Sequence, residues 1–255
     1  MKTIGILGGL GPESTLSYYS YITRKYYEMR GDYAYPEIVI YSVNFQEYID
    51  LGYEAAPAVE TAIRKLHRAG ADFVVAACNS IHIVYDEVCP RVPIPWVSIM
   101  DVAAEEIRER RMRRVGLLGT IFTMGKGFYQ RGLARHGIET ITPRAEVQRR
   151  LNRIIYGELV RNVVTRDSKR FVLQAIADLS KAGAQGVVLG CTELPFVASQ
   201  EDTRVPLFDT TALHAQRALE LAVGVRRLPP ARPRKDRRPF RRARGGPESD
   251  RMGRR

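Results

Sequence analysis

Two cysteines carry the chemistry that this sequence offers. Cys78 ends the run Leu66-His67-Arg68-Ala69-Gly70-Ala71-Asp72-Phe73-Val74-Val75-Ala76-Ala77-Cys78. Cys191 ends Leu179-Ser180-Lys181-Ala182-Gly183-Ala184-Gln185-Gly186-Val187-Val188-Leu189-Gly190-Cys191. A single cysteine after an apolar strand is ordinarily a small buried hydrophobe. Two at equivalent points of a repeated phrase are not explained that way, because both lie where open α/β sheets bind ligands, beyond the C-terminal ends of strands. Each cysteine precedes polar residues able to cap a helix, Asn79-Ser80 and Thr192-Glu193. Helix-terminal N–H groups are therefore expected to favour the thiolate, below its reference pKa of about 8.5.

The repetition extends beyond the cysteines, which lie 113 residues apart. Arg91-Val92-Pro93 is echoed at that spacing by Arg204-Val205-Pro206. Ile4-Gly5-Ile6-Leu7-Gly8 is echoed, two residues out of step, by Val115-Gly116-Leu117-Leu118-Gly119. These pairs identify an internal duplication.

The elements that must position the cysteines follow from hydrophobic periodicity. Strands are expected at 3–7, 37–43, before Cys78, at 96–99, 115–119, 139–141, before Cys191 and at 205–208. Helices are expected at 13–29, up to Gly70, up to Val88, and at 101–110, 125–135, 146–160, 167–182 and 210–223. In the first helix Leu16, Tyr19, Ile22, Tyr26 and Met29 recur at helical spacing. This alternation predicts an α/β fold of two similar domains related by pseudo-two-fold symmetry, each a parallel sheet flanked by helices. The expected division is 1–98 plus 209–225 for the first domain and 99–208 for the second. Open parallel sheets bind ligands beyond the C-terminal ends of their strands, which places the active site in the cleft between the domains.

Apolar residues make up 45% of the chain and the mean hydropathy is −0.24, as in soluble globular proteins. No stretch approaches the roughly 20 apolar residues of a membrane span, and the N-terminal apolar run is too short for a signal peptide. A cytoplasmic protein is expected, and three cysteines make no disulfide framework. The formal charge of +12 is concentrated at one end: residues 226–255 hold 13 Lys/Arg against 3 Asp/Glu. That proline-rich segment reads as a disordered basic tail, capable of weak nucleic-acid contact.

Gly8-Gly9-Leu10-Gly11 follows the first strand but is not a dinucleotide loop. Gly9-Leu10-Gly11-Pro12-Glu13-Ser14 ends in Ser where a third Gly is needed, and Pro12 lacks an N–H for phosphate. The loop reads better as a tight turn whose N–H groups at Leu10 and Gly11 face a small carboxylate. Neither Cys-x-x-Cys nor a spaced His pair is present, so no metal is expected. His82 and His214 read as helix-face histidines near the cleft, and Cys89 as structural.

These residues resemble the aspartate/glutamate racemase family, most closely its aspartate racemase and broad-specificity amino-acid racemase branch. The resemblance rests on residues 1–14, on Cys78-Asn79-Ser80-Ile81-His82 and on Gly190-Cys191-Thr192-Glu193-Leu194. Leu117-Leu118-Gly119-Thr120 and Val205-Pro206-Leu207-Phe208-Asp209-Thr210 fit as well, so it covers about 1–225. It implies a racemase that needs no cofactor, interconverts free L- and D-amino acids, and has Cys78 and Cys191 as its acid/base pair. Substrate contacts are implied for Leu10, Gly11, Asn79, Ser80, Ile81, Thr120, Thr192 and Glu193. A homodimer would be the ordinary assembly.

The chain departs from the aspartate-specific pattern at two places. Tyr48-Ile49-Asp50-Leu51 stands where those enzymes carry an arginine, and Val160-Arg161 where they carry a lysine. A substrate range wider than aspartate and glutamate is therefore expected. Other readings of the same cysteines are a hydantoin racemase, a maleate cis–trans isomerase, or a non-catalytic small-molecule-binding protein.

Overall fold

The computed structural model describes residues 1–228. The first half runs through β1 (Ile4–Gly8), α1 (Pro12–Arg30), β2 (Ile38–Ser42), α2 (Phe45–Leu51), α3 (Ala56–Arg68) and β3 (Phe73–Ala76). A 3-10 turn, Ser80–Val84, then leads into the short α4 (Tyr85–Val88). The second half comprises α5 (Ile99–Glu109), β4 (Arg114–Gly119), α6 (Ile121–Gly125), α7 (Phe128–Ala134) and β5 (Glu139–Ile141). It continues with α8 (Ala145–Gly157), α9 (Arg166–Lys181), β6 (Val187–Gly190), β7 (Leu207–Asp209) and α10 (Thr210–Ala222).

The strands form two parallel sheets, ordered β2-β1-β3 and β5-β4-β6-β7. β1, β3 and β6 are buried throughout, as continuous apolar runs covered by helices on both faces should be. The duplication shows in the registers: Gly5 lies opposite Val74 in the first sheet, and Gly116 opposite Val187 in the second. One sequence match slips, however. Val74 N donates to Pro95 O and Val187 N to Pro206 O, each at 2.8 Å, so Pro95 and not Pro93 is the counterpart of Pro206.

The strand expected at 96–99 shrinks to a single parallel bridge between Val74 and Trp96. Pro93 and Pro95 supply no ladder N–H there. Ser98 then caps α5, its hydroxyl accepting from Asp101 N at 3.1 Å. The helix expected at 125–135 shortens to α7, which begins after Gly127 with its left-handed φ of 74°, and α6 precedes it.

The buried face of α1 is Ser14, Thr15, Tyr18, Ile22 and Tyr26, whereas Leu16, Tyr19 and Met29 are exposed. Tyr18, Ile22 and Tyr26 recur every fourth residue, and that stripe wins the contact with the sheet. They join Ile4, Ile6, Phe73 and Val75 in a core closed by Ala215, Ala218, Leu219 and Ala222 of α10. Thus α10 leaves the second sheet through β7 and covers the first. Lys2 N donates to Ala222 O at 2.9 Å, joining the beginning of the chain to the end of α10.

The expected tail begins too early at 226. Arg226 N donates to Glu220 O, and its guanidinium pairs with Glu105, Glu109 and Glu220 at 3.1–3.4 Å. Leu228 packs against the core beneath α10. The acidic faces of α5 and α10 hold this first stretch. Residues 229–255, the remainder of the expected basic tail, lie outside the described residues. Among the described residues no helix is long and apolar enough to cross a membrane.

Candidate active site

Cys78 stands two residues beyond β3 and Cys191 directly beyond β6. Side-chain hydrogen bonds join the segments that carry them. Thr210 Oγ1 donates to Leu189 O at 2.8 Å, so it must accept from Asn79 Nδ2 at 3.0 Å. This orientation leaves Asn79 Oδ1 buried without a partner, although Asn79 is only 2% exposed. The Ser80 hydroxyl lies 3.1 Å from Thr120 Oγ1 and 3.3 Å from Thr123 Oγ1. Thr120 also caps α6 by accepting from Thr123 N at 3.2 Å.

The two thiols have different surroundings. Burial pushes Cys78 up to about 11; the Ile81 N–H opposes this, the charge of Glu193 adds to it, and the Ser80 N–H opposes it again. Cys191 is pushed well above its ordinary value by burial first, then by the charge of Glu193 and by a hydrogen bond to that carboxylate. Its Sγ–H donates to Glu193 Oε2 at 3.0 Å, and Thr192 Oγ1 donates to the same oxygen at 2.9 Å.

The expectation of capped helices holding thiolates is thereby corrected. Neither Asn79 nor Glu193 caps the turn that follows it, and those turns are the 3-10 segments Ser80–Val84 and Leu194–Phe196. So few aligned peptides oppose desolvation weakly, and burial prevails.

The glycine loop reaches this centre at Gly11. Its φ is 123°, and a Cβ there would stand 2.8 Å from Glu193 Oε1. Only glycine tolerates both the backbone and the approach. Ser14 Oγ fixes the loop by donating to Gly11 O at 2.7 Å, and the Leu10 side chain packs into the larger core. Ile81 is also a core residue by its side chain, so what it turns toward Cys78 is its N–H.

His82, in the 3-10 turn, and His214, on α10, are both buried. His82 Nε2 accepts from Ile99 N at 3.3 Å, so its proton is on Nδ1, which donates to Cys78 O at 2.9 Å. His214 Nε2 donates to Val97 O at 3.2 Å, and its Nδ1 accepts from the Tyr18 hydroxyl at 2.7 Å. Burial depresses His82 to about 4 and holds His214 well below its ordinary range, so both are neutral.

Tyr156 of α8, which sequence reasoning does not single out, is coupled electrostatically to the site. Its hydroxyl is pushed up by burial first and then by the charges of Cys78, Cys191 and Glu193. No helical pattern distinguishes it from other half-exposed tyrosines. Among the described residues no group of three or more His, Cys, Asp or Glu gathers as metal ligands would.

Residues 7–218 match the family described as Asp/Glu/Hydantoin racemase. The chain is 27% identical over 219 residues to the broad specificity amino-acid racemase RacX of Bacillus subtilis (strain 168), spanning 84% of this chain and 95% of that protein. The structure of an aspartate racemase homologue from Pyrococcus horikoshii OT3 matches with a TM-score of 0.77 and 40% identity, covering 88% of this chain and all of that one. Picrophilus torridus aspartate racemase shares the fold, with a TM-score of 0.70 at 23% identity over 90% and 96% of the two chains.

Proposed function

We propose, from the premise that this chain belongs to the Asp/Glu/Hydantoin racemase family, that it is a cofactor-independent amino-acid racemase with Cys78 and Cys191 as its two bases. The observation that carries this reading is the pair of thiols beyond equivalent strands of a duplicated fold, with hydrogen bonds joining their segments. One thiolate takes the α-proton from one face of the substrate carbon, and the opposite thiol returns a proton to the other face. Positioned proton transfer contributes about 10²–10⁴-fold, and the rest must come from stabilising the carbanion-like state.

Asn79 Oδ1, a buried polar atom without a partner on the residue after Cys78, is proposed to accept from the substrate amino group, with Ser80, Thr120 and Thr192 on its carboxylate. Backbone N–H groups at Leu10, Gly11 and Ile81 complete the proposed anion contacts. Broad specificity is supported by the relation to RacX and by Tyr48-Ile49-Asp50-Leu51 standing where an arginine fork would serve an acidic side chain. The proposal includes domain limits at 98/99 and 208/209, a homodimer, and a reducing cytoplasmic setting in keeping with three free cysteines.

The test is to incubate the purified protein with single enantiomers in deuterated water, without pyridoxal phosphate. Racemisation with α-deuteration is expected; binding of amino acids without either would remove the catalytic reading.

A further inference from the structure

We infer that Glu193 is the acid–base partner of Cys191 and makes the two thiols unequal, holding Cys191 protonated and leaving Cys78 as the resting base. This deepens the racemase reading and rests on it. Glu193 Oε2 receives two donors, Cys191 Sγ–H at 3.0 Å and Thr192 Oγ1 at 2.9 Å. The residue is 4% exposed, and its other oxygen lies against Gly11. Cys191 and Thr192 on its own segment hydrogen-bond to it, the Gly11 backbone lies against it, and its charge also raises Cys78 of the first half and Tyr156 of α8. Among the described residues no ion pair joins a cation to Glu193. Its charge is therefore felt by the sulfurs, and most by Cys191. Cys191 has one N–H that favours its anion, that of Glu193, whereas Cys78 has two, those of Ile81 and Ser80.

The proton steps balance without any co-reactant. In the favoured form, the substrate Cα–H bond breaks and its proton bonds to the Cys78 thiolate. The Cys191 S–H bond breaks and its proton bonds to the opposite face of the same carbon. The product leaves a Cys191 thiolate against the Glu193 carboxylate, a like-charge pair that is higher in energy. The protein returns to rest by exchanging a proton with water or by racemising the opposite enantiomer. Because the two enantiomers are equal in free energy, kcat/KM must be the same in both directions. The inequality therefore appears in kcat and KM separately.

Two measurements test this. Cys78 and Cys191 are alkylated with iodoacetamide across a pH series, and each peptide is quantified by mass spectrometry with Cys89 as the internal reference. In the unaltered protein Cys78 is expected to react at lower pH than Cys191, and the reverse order overturns the inference. In Glu193→Gln the Cys191 midpoint should fall by about one pH unit or more, roughly tenfold in thiolate at a given pH. An unmoved midpoint overturns it.

The second measurement is turnover of each enantiomer against pH. Glu193→Gln should bring the two kcat values toward equality and move the alkaline limb to lower pH, while Glu193→Asp keeps that limb near its original position. A uniform rise in KM for both enantiomers with the kcat profiles intact would make Glu193 a substrate contact and overturn the inference. Should the Cys191 shift appear in a protein that racemises no amino acid, the pairing stands and the racemase reading falls.

Discussion

Asn79 and Thr210 are 131 residues apart in the chain and joined by a 3.0 Å hydrogen bond. The same Thr210 hydroxyl donates to Leu189 O, two residues before Cys191. One side chain at the start of α10 thus ties together both cysteine segments.

Thr210→Val should leave Asn79 Nδ2 and Leu189 O unpaired in a buried place. Each unsatisfied group costs about 1–3 kcal/mol. A fall in kcat/KM of about 10–100-fold is expected with a lowered melting temperature, and Thr210→Ser should restore most of both. A Thr210→Val protein with unaltered kinetics would show that the bond does not position Asn79.

Cys78→Ala and Cys191→Ala should each abolish racemisation, since each lacks an acid/base on one face. A single mutant is still expected to exchange the α-proton of the one enantiomer that presents it to the remaining thiolate. Proton exchange followed by NMR in deuterated water separates the two outcomes, and normal racemisation by either mutant would end the two-base mechanism.

Acid should destabilise the fold through its buried histidines. His82 sits at about 4 when folded, against about 6.5 in an unfolded chain. Between those values the unfolded chain holds a proton that the folded one lacks, so stability is lost as pH falls across the window. Each such histidine contributes up to about 1.4 kcal/mol per pH unit, and His214 acts in the same direction. Urea unfolding from about pH 7 to about pH 4.5 should show falling midpoints; a flat series would contradict the neutral, buried assignment.

Substrate preference should respond at Tyr156, whose hydroxyl feels the charge of both thiols. Tyr156→Arg brings a guanidinium to the site and is expected to raise the kcat/KM for aspartate and glutamate relative to neutral amino acids by about tenfold or more, the effect of roughly 1.4 kcal/mol. Tyr156→Phe should leave that ratio nearly unchanged. An unmodified protein preferring aspartate over every neutral amino acid by a wide margin would overturn the broad-specificity reading.

The cysteine strands were legible because repetition doubles a weak signal: one apolar run ending in Cys says little, while two in the same register of glycine turns say a good deal. The expected limits 139–141 coincide with β5, and those of β1 and β4 differ from the observed ones by one residue. What escaped depended on contacts between distant parts of the chain. Arg91-Val92-Pro93 makes Pro93 the better match to Pro206 by sequence, and only the bond from Val74 N to Pro95 O overrules it. Glu193 could be placed at the site but not aimed, since its orientation toward Cys191 is set by Gly11 from the opposite end of the chain. Tyr156 carries no local mark at all. Arg226 looked like the first residue of a charge run until the carboxylates of α5 and α10 were brought beside it.

The return of α10 to the first sheet bears on the order in which the protein can be made. Every strand of the second sheet lies within residues 114–209, and that half can pack as soon as those residues have left the ribosome. The core around Ile4, Ile6, Tyr18 and Phe73 stays uncovered until Ala215, Ala218, Leu219 and Ala222 are synthesised. The part translated first is therefore the last to be sealed, and a chain stalled before residue 210 would present an open apolar sheet face to chaperones or to other chains.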